Sequence, residues 1–239
     1  MLEVKKFAGN YKEILPLADV YMRSYNKLSE TYKSQEEMAL YTRVSFIKKL
    51  ENWAIRQADG KEPFIFVIYD NEQPCGIMRL NPIPQEYRQI NSLLKATEHE
   101  NGELDGWNMA RNRNIQYSTS PQFEDNTLIL NQIYLAPESQ KRGLGTYFIK
   151  TVFNKLQKQG LDQFIVEYND NNTNGKKFHE DVLCAKKIAT TSDFDHITTQ
   201  NGKTDFCISP VSIGISRFSQ VLQNIAIKEK SFARVVSGR

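Results

Sequence analysis

An apolar run, TLILNQIYL at residues 127–135, leads into a loop that holds closely spaced glycines. The length and composition of this run are typical of a buried central β-strand. The loop at residues 140–145 reads QKRGLG, and the apolar residues after it recur at helical spacing. The sequence therefore predicts a strand, a glycine loop and a helix in direct succession, with the loop at the N-terminus of the helix.

The glycine loop suits the binding of an anion. Gly143 and Gly145 let the backbone turn sharply and approach a ligand, so that amide hydrogens and the helix N-terminus converge on one negative group. Lys141 and Arg142 add positive charge at the mouth of the loop. A pyrophosphate fits these demands; the alternative is a glycine turn that only caps the helix.

Two common nucleotide sites are disfavoured in this loop. A Walker A loop has lysine and then serine or threonine after its last glycine, whereas Gly145 is followed by Thr146 and Tyr147. A Rossmann fingerprint needs a third small residue where this chain has Phe148. The pyrophosphate is therefore not expected to belong to a nucleoside triphosphate or a dinucleotide.

The same segment resembles the coenzyme A loop of the GCN5-related N-acetyltransferase (GNAT) family, whose Q/R-x-x-G-x-G/A loop follows a strand that reads like IYLAPESQ. A second segment, NTNGKKFH at residues 172–179, is similar to the family's N-x-x-A-x-x-F/L-Y segment. The resemblance covers roughly residues 1–80 and 127–210 in element order. It implies acetyl-CoA as the donor cosubstrate, direct attack by an amine in a ternary complex, and no metal.

The resemblance also implies which residues hold the cofactor. The backbone at residues 133–135 would pair with the pantetheine arm, which would lie between two splayed parallel strands. Tyr134 has an alternative role as a strand aromatic packed against a helix. The implied cofactor-binding residues are Ile133, Tyr134, Leu135, Gln140, Lys141, Arg142, Gly143, Leu144, Gly145, Thr146, Asn172 and Phe178.

Acyl transfer also needs a base for the amine and an acid for the departing thiolate. His179 stands where many relatives carry tyrosine, so it is the candidate acid; a histidine that only packs or caps is the alternative. The glutamate base of many relatives is missing, because the aligned position is Ile129. Glu167 and Tyr168 on the neighbouring strand are the substitutes, since alternation should point one of them into the cleft. A structural or solvated role is the alternative for both.

The cysteines and the other histidines indicate neither a disulfide framework nor a metal site. Cys75, Cys184 and Cys207 are widely spaced and odd in number, and His99 and His196 lie in polar stretches without ligand spacing. The N-terminus lacks an apolar signal core, and no run of about 18 apolar residues occurs. We therefore expect a protein of the cytoplasm that does not insert into a membrane.

The fold that the family resemblance implies is α/β, with a central mixed sheet flanked by helices. One GNAT-like domain should cover residues 1–210, with a long insertion at 81–126 between the third and fourth strands, and a C-terminal helix and basic tail should fill 211–239. The predicted strands are 2–8, the hairpin 64–80, 127–135, 162–168, 186–198 and 203–210; the predicted helices are 11–28, 34–57, one that ends near 160, 172–184 and 213–227.

Charge does not point to a polyanionic partner. The chain has 31 basic and 28 acidic residues, a net charge of +3, so nucleic acid is not indicated. The resemblance implies an acceptor that enters between residues 11–33 and the insertion, and we expect a small amine rather than a macromolecule; a homodimer is left open. Acidic residues of the insertion would either attract a cationic amine or be solvated: Glu98, Glu100, Glu103 and Asp105.

Two other functions remain open at this stage. The missing strand glutamate and the replacement at His179 would suit a coenzyme A-binding sensor that has lost turnover. An acetyltransferase for a protein amine or an aminoacyl-tRNA would use the basic tail, with Lys141 and Arg142, as an electrostatic guide. Strong salt dependence would favour nucleic acid as the partner.

Overall fold

The computed structural model describes residues 1–29, 43–60, 64–83, 116–117, 123–170, 172–198 and 204–237. The strands in these ranges form one eight-stranded sheet. They are β1 (Leu2–Lys6), β2 (Phe64–Asp70), β3 (Gln73–Pro82), β4 (Gln116–Tyr117), β5 (Leu128–Leu135), β6 (Gln163–Asn169), β7 (Lys186–Thr198) and β8 (Thr204–Arg217).

The order of the strands across the sheet is β1-β2-β3-β5-β6-β8-β7-β4. Only the central pair of these, β5 with β6, runs parallel, and the other neighbours are antiparallel. Parallel neighbours need a crossover connection, which a helix between β5 and β6 supplies. The predicted mixed sheet flanked by helices is confirmed.

The helices of the described ranges lie on both faces of this sheet. Their apolar stripes match the spacing seen in the sequence, and most of their stability comes from packing on the strands. They are α1 (Tyr11–Ser29), α2 (Arg43–Ala58), α3 (Leu144–Gln157), α4 (Thr173–Lys177) and α5 (Phe218–Ser237).

One face of the sheet is covered by α3 and α5. Phe153 in α3, Phe164 in β6 and Phe218 in α5 pack with ring centroids 4.3 to 5.3 Å apart. Ile149 and Val152 of α3 are fully buried in the same cluster. Burial of each large apolar side chain contributes about 1.5–3 kcal/mol, so this face fixes α3, and with it the glycine loop, against the sheet.

The opposite face is covered by α1 and α2. Because strand side chains alternate, Ile65 and Val67 of β2 join this second core, whereas Phe66 joins the first. Ile83 and Phe123, near the two ends of the predicted insertion, are buried on this face against Ile129 of β5. The insertion therefore leaves and rejoins the sheet beside its central strands.

The C-terminal part of the chain differs from the prediction. The helix predicted from residue 213 begins at Phe218, because β8 continues to Arg217 and so runs beyond residue 210, where we placed the end of the domain. The backbone of Asp162 accepts a hydrogen bond from Phe218 N at 2.7 Å, and its carboxylate accepts one from Ser219 N at 2.9 Å. A residue far away in sequence thus fixes the start of α5, and the helix extends through most of the predicted basic tail.

The helix predicted at 172–184 is also different. It is split into the short α4 and a π-helical turn, Phe178–Val182, after which Cys184 adopts a positive φ of 54°. Such π turns are short and frequently lie at functional sites. Several predicted features lie outside the described residues: the start of the helix at 34, most of the insertion with its acidic residues, and His99.

None of the described helices is both long enough and apolar enough to cross a bilayer.

Candidate active site

The two central strands separate halfway along their length. β5 and β6 pair only where Leu128–Leu130 faces Phe164–Val166, although β5 continues to Leu135 and β6 to Asn169. Beyond the paired part the strands open into a cleft of about 230 Å³. The edges that face each other there lack a strand partner in the described ranges. The cleft is lined by Leu130, Asn131, Gln132, Ile133, Tyr134, Val166, Glu167, Tyr168, Asn172, Gly175 and His179.

A β-bulge in β5 marks the point of separation. Leu80 of β3 faces Leu130, but Arg79 faces Gln132, so Asn131 is an extra residue in the ladder. A bulge bends its strand and re-aims the side chains next to it. Asn131 Oδ1 and Gln132 Oε1 are buried in the cleft wall, and neither accepts a hydrogen bond within the described part of the chain.

The glycine loop is anchored to the end of β5. Gln140 donates through Nε2 to the Leu135 carbonyl at 3.1 Å, and Ser24 of α1 donates to the same carbonyl at 2.6 Å. Arg142 donates to the carboxylate of Asp70, in the β2–β3 hairpin, at 3.2 Å. The loop is therefore tied to α1, β2 and β5 at once, although the exposed Arg142–Asp70 pair contributes at most about 1 kcal/mol.

The structure explains why both positions of the loop, 143 and 145, carry glycine. Gly143 caps α3 with a left-handed φ of 80°, which other residues rarely adopt, and no side chain caps the helix there. At Gly145 an added Cβ would lie 3.1 Å from a methyl group of Leu135, so this side chain would have to shift by a few tenths of an ångström, and a larger residue would crowd the contact between α3 and β5. Leu144 is buried and anchors the first turn. The first amides of α3, which have no intrahelical acceptor, are left for an anion.

His179 and Tyr168 form the wall of the cleft on the α3 side. Their rings stack with centroids 5.1 Å apart and planes at 17°, and Tyr168 donates to the carboxylate of Glu180 at 3.2 Å. Burial lowers the pKa of His179 to about 4, and burial also raises the pKa of Tyr168. At neutral pH the imidazole is therefore uncharged and the phenol protonated. His179 Nδ1 has no hydrogen-bond partner within the described residues.

The candidate bases lie on opposite faces. Tyr168 joins the α3-side core with Val166, so Glu167 between them points to the α1–α2 face. Glu167 also lines the cleft. The hydroxyl of Tyr168 donates to Glu180, and its raised pKa keeps it protonated, so it cannot accept the proton of an amine. The position of Glu167 instead suits an amine that approaches from the α1–α2 side.

The second predicted segment contributes Asn172 and Phe178. Asn172 Oδ1 accepts a hydrogen bond from Gly175 N at 2.9 Å and so caps α4. A Cβ on Gly175 would lie 2.7 Å from the side-chain nitrogen Nδ2 of Asn172, and this close contact explains the glycine at this position of the segment. Phe178 meets the ring of His179 edge-on, with centroids 5.4 Å apart. Cap and ring together hold the imidazole against the cleft.

The family model described as Acetyltransferase (GNAT) family matches residues 22–183. This range includes the glycine loop, both central strands of the cleft and His179. The chain belongs to the acetyltransferase (GNAT) family. As a GNAT member it is an acyl-CoA-dependent N-acyltransferase, and the resemblance read from the sequence is confirmed.

Solved structures of other acetyltransferases share the fold. The PaiA N-acetyltransferase from Thermoplasma acidophilum, solved with coenzyme A, has a TM-score of 0.55 at 13% identity, over 91% of this chain and 99% of that one. The ribosomal-protein-S18-alanine N-acetyltransferase from Escherichia coli has a TM-score of 0.51 at 11% identity, over 91% and 94%. YncA from Salmonella typhimurium, solved with acetyl-CoA, has 0.51 at 10%, over 91% and 94%. None of the curated proteins compared with the chain matches it.

The residues present fit a GNAT cofactor. No described side chain caps the start of α3 at Gly143, so its first backbone amides would be available to a pyrophosphate. The edge of β5 at residues 133–135 that faces β6 has no strand partner in the described ranges, so it would be available to the pantetheine arm. The ring of Tyr134 packs on Tyr21 of α1, with ring centroids 4.2 Å apart. It therefore has the alternative role considered for it, that of a strand aromatic packed against a helix. No cluster of three or more metal-ligating side chains occurs in the part of the chain that the structure describes.

Sequence reasoning missed the polar side chains of this GNAT cleft on β5. Ile129, which the sequence resemblance placed at the position of the relatives' glutamate, is buried in the paired part of the strand opposite Ile165 and is not among the residues that line the cleft. Two carboxamide side chains of β5 do line it, those of Asn131 and Gln132. The available signal was their position, because two adjacent polar residues interrupt an otherwise apolar central strand.

Proposed function

We propose that this GNAT protein transfers an acetyl group from acetyl-CoA to a small amine by direct attack in a ternary complex. The separation of β5 from β6 after Leu130 carries the proposal. It leaves a polar cleft of about 230 Å³, which is lined by the open parts of both strands and by His179. A thioester held along the open edge of β5 would end inside the sheet, where water is limited.

Each part of the site has a role in this reaction. The amides of the first turn of α3 hold the pyrophosphate, and the backbone at residues 133–135 orients the pantetheine arm. Bound acetyl-CoA supplies the activated acetyl thioester. Backbone N–H groups on the open edge of β5 donate to its carbonyl oxygen, which gains negative charge as the amine attacks; fixed dipoles of this kind accelerate acyl transfer most.

Proton transfer involves both walls of the cleft. Glu167 accepts the proton of an amine that arrives from the α1–α2 face. His179 is neutral at pH 7 because its pKa is lowered to about 4, so it supports the departing sulfur through an N–H hydrogen bond rather than as a charged acid. The sulfur takes up its proton from water, and the imidazole keeps its own N–H. His179 was expected to act as the acid; in this assignment it acts only as a neutral hydrogen-bond donor to the sulfur.

The even charge of the chain favours a small acceptor over a nucleic acid. Cys75 and Cys184 are free thiols, which suits a reducing compartment such as the cytoplasm.

The decisive experiment is calorimetric titration of acetyl-CoA into the wild type and Gly143→Glu. Gly160→Glu is a matched control: Gly160 has a φ of 81° against 80° for Gly143, and a Cβ at either meets nothing within 4 Å. Both variants carry the same backbone strain, but only Gly143 lies at the pyrophosphate site. Binding by the wild type and Gly160→Glu, and none by Gly143→Glu, is the expected result.

Thiol release over a panel of amines then tests turnover. Release that depends on an amine supports the transferase. Binding of acetyl-CoA without release by any amine supports the sensor instead, a role that the absence of a carboxylate on the cleft side of β5 would suit. Wild type that does not bind acetyl-CoA, or equal loss of binding in both glycine variants, contradicts the proposed cofactor site.

A further inference from the structure

The bulge of β5 brings two neutral carboxamides to the same cleft. Successive side chains of a regular strand point to opposite faces, but the extra residue at Asn131 ends this alternation, and both Asn131 and Gln132 line the opening. The residues around them in β5 are apolar. Polar side chains in the middle of a central strand are costly unless they are hydrogen-bonded.

The carboxamide oxygens are the unsatisfied part of this pair. Asn131 Oδ1 and Gln132 Oε1 are buried, and neither has a donor among the described residues. A buried acceptor without a donor is destabilising, and such groups in native proteins call for a specific explanation. Carbonyl oxygens accept and cannot donate, so a ligand that satisfies both must bring two N–H or O–H donors.

The carboxamide pair lies toward the α1–α2 face of the cleft. Gln132 is the register partner of Arg79, and side chains of directly opposed residues share a face. The guanidinium of Arg79 lies 4.7 Å from the ring centroid of Trp53 in α2, which fixes that face. His179 and the start of α3 lie on the other side. An acceptor that approaches from the α1–α2 face therefore reaches the carboxamides before the thioester.

We propose that Asn131 and Gln132 bind the attacking nitrogen of the acceptor and select primary amines. This inference rests on the proposed acetyl transfer. The two oxygens accept hydrogen bonds from the two N–H groups of a free primary amine, which leaves the nitrogen lone pair directed at the thioester. A secondary amine brings one N–H group, and its second carbon substituent lies against an oxygen that stays unsatisfied.

The chemical step balances with this arrangement. The nitrogen lone pair forms the N–C bond to the acetyl carbon, and the C–S bond breaks. The amine loses one N–H proton, the sulfur gains one, and the products are a secondary amide and a thiol. The N–H that remains on the amide still has one carboxamide acceptor, whereas the other acceptor loses its donor. Product is thus held less firmly than substrate.

The test compares a primary amine with its N-methyl derivative. The acceptor is the panel amine that the wild type acetylates fastest, and the readout is the ratio of kcat/KM for the two compounds. Wild type should prefer the primary amine at least about tenfold, the scale of one buried hydrogen bond left unmade. Asn131→Leu and Gln132→Met remove one oxygen each at similar volume, and both should reduce the ratio severalfold.

Matched variants separate binding of the amine from general damage. Asn154→Leu removes a carboxamide from the exposed side of α3 and should leave the ratio unchanged. Asn131→Asp keeps an accepting oxygen in place, so it should retain the ratio, and its added charge should lower the KM of a cationic amine. Acetyl-CoA affinity should stay within about twofold throughout. Should a Leu or Met variant fail to fold, Asn131→Ala and Gln132→Ala give the same comparison.

An unchanged ratio in folded, active variants of both positions would overturn the inference and leave the acetyltransferase intact. A ratio that falls equally in Asn154→Leu would also overturn it. Wild type that binds acetyl-CoA but acetylates no amine contradicts the proposed function, and the inference with it.

Discussion

The two halves of β5 use the same strand for different purposes. In the paired half, Leu128–Leu130, every side chain is buried and both edges are hydrogen-bonded to neighbouring strands. In the open half, Asn131–Leu135, every residue is only partly buried, and the edge toward β6 has no strand partner within the described ranges. A single bulge separates the two. The comparison shows how the site forms in this fold: the pairing between β5 and β6 stops halfway, while the other half of β5 remains in the core.

The largest effect should come from the core around the paired half. Phe164→Ala in β6 empties space between Phe153 and Phe218, so the free energy of unfolding should fall by about 3–5 kcal/mol. Gln132→Ala in the open half should change it by less than about 1 kcal/mol. Urea denaturation of both variants checks this. Similar losses in both would mean that the open half is also structural.

A smaller effect should follow from crowding at the end of the open half. In Gly145→Val, contact with Leu135 displaces the start of α3, so acetyl-CoA should bind about tenfold to a hundredfold more weakly. Asn154→Val, on the exposed side of the same helix, controls for a β-branched side chain in α3 away from the loop. Calorimetry of both variants measures the difference. Equal affinities of Gly145→Val and Asn154→Val for acetyl-CoA would mean that the glycine loop does not take part in cofactor binding.

Acid should weaken the wall opposite the open half. The pKa of His179 lies at about 4 in the folded chain against 6.5 ordinarily, so below pH 6.5 the unfolded chain binds more protons. This histidine should therefore cost about 2 kcal/mol of stability between pH 7 and pH 5. His179→Phe, which keeps an apolar ring, should lose that component of the acid sensitivity. Urea melts at the two pH values test the prediction, and an identical pH dependence in both proteins would contradict it.

The smallest effect should come from the rim of the loop. Arg142→Ala removes an exposed ion pair with Asp70, and this change should cost less than about 1 kcal/mol of stability. Because Arg142 also adds charge near the pyrophosphate, acetyl-CoA affinity should fall a fewfold, and the difference should shrink in high salt. Asp70→Ala breaks the same pair but keeps the arginine. If acetyl-CoA affinity falls as much in Asp70→Ala as in Arg142→Ala, the loss comes from weaker anchoring of the loop and not from the charge of Arg142.

Local pattern was enough to predict the framework of this protein. The strand at 127–135, the glycine loop and the helix after it carry period, turn and capping signals within a short span, and the structure has them at β5 and α3. The alternation of strands and helices indicated an α/β fold, and the mixed sheet followed from the family resemblance. The roles assigned to His179, Glu167 and the loop residues stay predictions. His179 and Glu167 line one cleft, whereas the described lining of that cleft includes no residue of the glycine loop.

The missed features depend on contacts between distant parts of the chain. The start of α5 is fixed by Asp162, and Ile213 and Ile215 fit a helix or a strand equally well until β6 pairs with them. The bulge at Asn131 exists only relative to β3. No local window of sequence contains these partners, so periodicity alone could not place the polar pair of the cleft.

The junction of β3 and β5 has a consequence for how this protein tolerates change in length. Pro82 and Leu128 are register partners, so the long intervening stretch departs and returns at adjacent points of the sheet. Loop-closure entropy grows only with the logarithm of length, and a doubling costs about 0.6 kcal/mol. Relatives could therefore lengthen, shorten or exchange this stretch, and with it the surroundings of the acceptor, while the hydrogen-bond register that forms the cleft is inherited unchanged.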